Sequence, residues 1–211
     1  VSGFTTTSGT TYEFTVTPTA SGNVTVDIPA ATATDTIGNN NTAATQLTRT
    51  ADITAPTVAL TSTSPANTNA PFLVTATFSE TVTGFAATDI NIGNGTVSGF
   101  TTTSGTTYEF TVTPTASGNV TVDIPAATAI DTIGNSNTAA TQLTRIADIT
   151  APTVTLTSAS PTNTNAPFLV TATFSETVTG FAATDVTVGN GTVSGFTGTG
   201  TTYEFTVTPT T

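Results

Sequence analysis

The sequence predicts an all-β chain: tandem, seven-stranded antiparallel β-sandwiches. Three observations carry that prediction. The stretch VSGFTTTSGTTYEFTVTP occurs at 1–18, again at 97–114, and one residue shorter at 193–209. Tyr12 and Tyr108 lie 96 positions apart, as do Val97 and Val193, so a unit of domain size is repeated. Apolar and polar residues alternate over short runs, turn residues recur about every ten positions, and no run has helical periodicity.

Within one unit the elements follow in order. TVALTSTS (57–64) opens it as a strand after Pro56. In FLVTATF (72–78), Phe72, Val74, Ala76 and Phe78 fall on one face and Leu73, Thr75 and Thr77 on the other, the period of a half-buried strand. Residues 89–92 form a short third strand. Asn94-Gly95 is a hairpin signal, since both residues tolerate positive φ, and it leads into a strand at 97–100. Over 106–113, Tyr108, Phe110 and Val112 alternate inward against Glu109, Thr111 and Thr113. Val120, Val122 and Ile124 do the same over 119–124. A loop at 127–137 and a last strand at 139–145 complete the sandwich. The contraction in the third copy lies between Phe196 and Tyr203, in a connection between strands, where a sandwich accommodates it.

Taking the linker Ala-Asp-Ile-Thr-Ala-Pro as the boundary divides the chain in three. Residues 1–51 are the C-terminal half of one repeat, 52–147 a complete repeat, and 148–211 the N-terminal part of a third. The chain is then a window on a longer array. The alternative is a fibre whose subunits complete each other's half-domains, although 193–211 duplicates 1–19 and would be redundant in such a joint.

Composition narrows the function classes. Threonine accounts for 62 of 211 residues, which suits solvent-facing strand positions. Charged residues make up 7%, the net charge is -11, Lys is absent, and Arg49 and Arg145 are the two basic residues. That excludes nucleic-acid and anionic-membrane partners, which need a basic footprint. No apolar run is long enough to insert into a membrane. Without Cys there are no disulfides and no thiol chemistry, and without Lys no Lys–Asn cross-links. An enzyme is not expected: His, Cys and Lys are all missing, no Ser sits in a nucleophile elbow, and no aromatic platform accompanies the acids.

DITAPTV, FSETVTGF, TDINIGNGTVSGF, TYEFTVTP and AIDTIGN, in that order, resemble the bacterial immunoglobulin-like repeats of large secreted adhesins and surface fibres. The resemblance spans the 96-residue unit and departs from it at Pro125, after Val-Asp-Ile. It implies an Ig-like fold, an extracellular, cell-surface location, a stalk role in adhesion or biofilm, and calcium at the junctions.

The acids point the same way. Tracing strands back and forth from the upstream end places Glu80, Asp89, Asp131 and Asn135 at that end, and Asp52 arrives there in the linker. Carboxylate and carboxamide oxygens without His or Cys suit a hard cation, and flexible loops suit Ca2+ better than Mg2+. The expected ligands are Asp52, Glu80, Asp89, Asp131 and Asn135, with Asp148, Glu176 and Asp185 at the next joint and Asp35 and Asn39 in the preceding copy. The competing reading is solvated acids, with Asp89 and Asp131 acting as caps. Glu109 and Asp123 are expected on the surface, and Arg145 in a surface ion pair. The expected role is a structural extender whose partners are neighbouring repeats and other copies in a fibre or surface layer. The alternative is a carbohydrate- or surface-binding module using a threonine-rich sheet face.

Overall fold

The computed structural model describes residues 1–210 and is built from strands. They form two compact units, Val1–Ile149 and Thr150–Thr211. Residues 1–51 contribute two hairpins to the first unit. One pairs β1 (Ser2–Ser8) with β2 (Thr11–Thr15), the other β3 (Gly22–Val26) with β4 (Leu47–Ala51).

The complete repeat supplies β5 (Val58–Thr61), β6 (Asn67–Thr68), β7 (Phe72–Phe78), β8 (Asn91–Gly93), β9 (Gly95–Thr102), β10 (Thr107–Pro114), β11 (Gly118–Asp123) and β12 (Leu143–Ala147). These make two four-stranded sheets, β5-β7-β10-β9 and β6-β12-β11-β8. The alternation in the sequence sets the inner faces. Phe72, Val74, Ala76, Tyr108, Phe110 and Val112 from one sheet bury against Val120, Val122 and Ala147 from the other. Burial of that apolar surface is what holds the two sheets together. Phe78, Phe85 and Tyr108 close one end edge to face, with ring centres 5.0–5.7 Å apart.

Four elements differ from the expectation. The third strand begins at Asn91, behind a 3-10 turn at Ala87–Asp89, and the last runs over Leu143–Ala147. The first strand does not run unbroken over 57–64: β5 lies in one sheet, and β6 crosses to pair with β12 in parallel. The cause is local, since the Ser62 hydroxyl donates to the Leu73 carbonyl at the end of the β5–β7 ladder and Pro65 has no N–H to offer. Arg145 donates to the Ser62 carbonyl at 3.1 Å and the Thr144 carbonyl at 3.0 Å, so it braces this crossing instead of joining a carboxylate. Nor does Asn94-Gly95 form a hairpin. β8 pairs with β11 and β9 with β10, so the chain changes sheets there. Asn94 takes a φ of 57° and its amide holds the Ala116 carbonyl at 2.9 Å. A single four-residue window carries the turn signal, but it cannot say which sheet receives the next strand.

The second unit contains β13 (Val154–Thr157), β14 (Phe168–Phe174), β15 (Gly191–Thr199) and β16 (Thr202–Pro209). They form one sheet, β13-β14-β16-β15, which repeats the order of the first sheet of the complete repeat. The contraction does fall in the connection between its last two strands, leaving Gly200 and Thr201 as a two-residue hairpin loop. Gly198 makes this possible: its φ is 121°, and a Cβ there would run into the Thr202 backbone.

Candidate metal centre

Three segments converge at one end of the complete repeat. The first is the linker. Asp52 is half-buried; its Oδ1 accepts from the Thr54 amide at 3.0 Å and from the Ser21 hydroxyl at 3.2 Å. The second is the loop after β7. The Ser79 amide donates to the Thr57 carbonyl, the Val82 amide to the Gly105 carbonyl, and Glu80 is held between them. The third is the Asp-Thr-Ile-Gly-Asn loop between β11 and β12.

That loop organises itself around Asp131. Its Oδ1 accepts from the amides of Ile133 at 2.8 Å, Gly134 at 2.6 Å and Asn135 at 2.9 Å, while Oδ2 accepts from the Asn135 side chain at 2.7 Å. The turn needs Gly134, whose φ is 108°. Asp131 is 3% exposed. Burial is the largest influence on its carboxyl and pushes it up. The Asn135 side chain and the backbone amides of Asn135, Gly134 and Ile133 together outweigh that, holding it below its ordinary value. Backbone hydrogen bonds in both directions between Thr83 and Ile130, at 2.8 and 3.0 Å, tie this loop to the one bearing Glu80. The Asn135 amide also reaches the Asp52 carbonyl at 3.2 Å, joining the loop to the linker.

The outcome is a group of three carboxylates, Asp52, Glu80 and Asp131, with one oxygen of each within 4.8 Å of the others. Glu80 records the crowding. Desolvation first, and then the charges of Asp52 and Asp131, raise its carboxyl above the ordinary value. A cation among the three would relieve both effects. The donor set fits a hard ion, and Asp131 Oδ2, with one hydrogen bond against three on Oδ1, is the oxygen with a lone pair to spare.

Other expected ligands lie elsewhere. Asp89 is not in the group: its Oδ2 accepts from the Ala86 amide at 2.8 Å and caps the 3-10 turn Ala87–Asp89. Asp185 caps Ala183–Asp185 in the same way, through the Ala182 amide at 2.9 Å. Asn135 turns its N–H2 toward Asp131, and so braces the site from the side. Asp35 and Asn39 build the same loop in the preceding copy, with Asp35 Oδ1 accepting from the amides of Ile37 and Asn39 and Oδ2 from the Asn39 side chain. The Asn39 side chain is the leading cause that lowers the Asp35 carboxyl. No Asp52 or Glu80 counterpart exists among residues 1–51. Asp148 accepts from Ser117 at 3.2 Å within the first unit, and Glu176 lies in the second. Among the described residues, no other three His, Cys, Asp or Glu side chains gather in this way.

Sequence reasoning missed Ser21 and Ser117, small turn residues whose role depends on a linker 31 positions away. It also missed Gln142, whose amide grips both Asp123 oxygens at 2.9 and 3.0 Å, a link fixed only once β11 and β12 are neighbours.

A family model described as bacterial Ig-like domain matches residues 52–147 and again 148–211. The chain belongs to that family. This agrees with the two packed sheets of the complete Ig-like repeat and makes the repeat a structural module. Comparison with curated proteins returned no match. Among the described residues no helix is long and apolar enough to cross a membrane.

Proposed function

We propose that this chain is a run of extender repeats from an extracellular bacterial stalk or surface fibre, stiffened by Ca2+ where one Ig-like repeat meets the next. The observation that carries the reading is the meeting of Asp52 from the linker with Glu80 and Asp131 from the repeat that follows, within 4.8 Å. An ion shared by those three side chains ties the linker to both loops at once, so bending at the joint requires breaking metal–oxygen bonds. Ca2+ accepts six to eight oxygens at about 2.3–2.6 Å and tolerates irregular loops, with waters completing the shell. Mg2+ demands a stricter octahedron than three separate segments provide. The role is mechanical: neighbouring repeats, and other copies in a fibre or surface layer, are the partners, and the rod holds a terminal adhesive domain away from the cell.

Differential scanning calorimetry of the whole chain tests this. With free Ca2+ near 100 times the dissociation constant, one site adds about 2.7 kcal/mol. For a domain of this size that is a rise in Tm of roughly 10 °C or more over the chelated protein. An unchanged Tm up to millimolar Ca2+ contradicts the reading.

A further inference from the structure

The linker is held from its other side as well, by residues that lend no carboxylate to the acidic group. Ser21 closes the turn before β3, and the pairing of Gly22 with Ala51 brings that turn beside the residues that follow β4. A serine hydroxyl has one proton to give and two lone pairs. Ser21 engages all three: it donates to Asp52 Oδ1 at 3.2 Å, and it lies 3.0 Å from the Ile53 amide and 2.7 Å from the Thr54 hydroxyl, both of which can donate to it. The next joint repeats the arrangement. The pairing of Gly118 with Ala147 sets Ser117 beside the chain leaving β12, where it donates to Asp148 Oδ1 at 3.2 Å and accepts from the Ile149 amide at 3.0 Å. The Asp148 amide is fixed in addition by the Thr68 carbonyl at 2.9 Å. The first compact unit ends at Ile149, the residue whose amide this serine holds.

We infer that Ser21 and Ser117 are linker clips: each fastens the outgoing Asp-Ile pair to the repeat it leaves and so sets the direction in which the chain departs. The clip uses only groups of the chain itself and goes beyond the cation reading without depending on it. A linker of this kind is already fastened to the repeat it leaves before any ion arrives. The serines are positioning residues, orienting Asp52 and Asp148 through their hydroxyls.

Amide hydrogen exchange of the whole chain in chelator, read at Ile53 and Ile149, tests the clip. Ser117→Ala is expected to speed exchange at Ile149 roughly tenfold while leaving Ile53 and the amides of β11 unchanged. Ser21→Ala should do the reverse, and Ser117→Thr, which keeps the hydroxyl, should restore protection at Ile149. Unchanged exchange at Ile149 in Ser117→Ala overturns the proposal. So does equal acceleration throughout β11, which would make the serine a turn stabiliser and nothing more. Because Ca2+ is absent throughout, a failure of the cation reading leaves these results intact.

Discussion

Residues 1–51 and 97–147 differ at three positions, Thr34/Ile130, Asn40/Ser136 and Thr50/Ile146, yet one copy sits in a complete sandwich and the other does not. Their local structure is the same. β3 pairs with β4 in the register in which β11 pairs with β12, and the two Asp-Thr-Ile-Gly-Asn loops close on the same amides. Their burial is not. Tyr108 is 4% exposed and Tyr12 53%; Phe110 is fully buried and Phe14 only partly. The contrast separates two kinds of information. Turns, hairpins and the carboxylate cradle are properties of 51 residues, whereas a dry core and a three-acid site require the strands and loops of 52–96.

The largest effect expected from this contrast is in the core. Phe110→Ala should cost the complete repeat about 3–5 kcal/mol, and Phe14→Ala under about 1 kcal/mol, measured as denaturant-dependent hydrogen exchange in β10 and β2. Equal losses would break the comparison. Next comes the ion. Asp131→Asn should abolish the Ca2+-dependent rise in Tm, and Asp35→Asn, in the same loop without Asp52 and Glu80 counterparts, should leave it whole. Loss in both variants would place the ion in the loop alone.

A smaller effect is expected from pH in the ion-free protein. Glu80 has its carboxyl raised above the ordinary value of 4.5, so its contribution is fully present below that value and is lost as pH rises through the higher folded value. Asp131 is lowered from 3.8, so its contribution is present above 3.8 and is lost as pH falls through the lower folded value. Acidifying from neutrality should therefore first raise Tm and then, below 3.8, reduce it. Glu80→Gln should remove the rise and keep the loss, as a pH series of melting curves will show. The smallest effect is at Ile130, 43% exposed and replaced by Thr34 in the other copy. Ile130→Thr should shift stability by no more than about 0.5 kcal/mol in urea unfolding.

Much of the sandwich was legible in the sequence because burial there follows a period of two: each inward residue of β7, β10 and β11 is the one the alternation names. The site was legible in outline, since strand direction alone brings Glu80 and Asp131 to one end with the linker. Asp89 went astray because proximity along that end does not fix where a carboxylate turns. An amide three residues back, at Ala86, captures it. The β5–β6 crossing and the Ser21 clip were invisible for a related reason, since both depend on which distant backbone groups lack a partner after the sheets have formed.

Crystallising the chain from millimolar Ca2+ and collecting data at a wavelength where calcium scatters anomalously tests the central claim most directly. The account predicts a single strong peak between Asp52, Glu80 and Asp131, with six or seven oxygens at about 2.3–2.6 Å and Asp131 bound through Oδ2. An empty centre at that concentration, or a peak at the Asp35 loop instead, would contradict it.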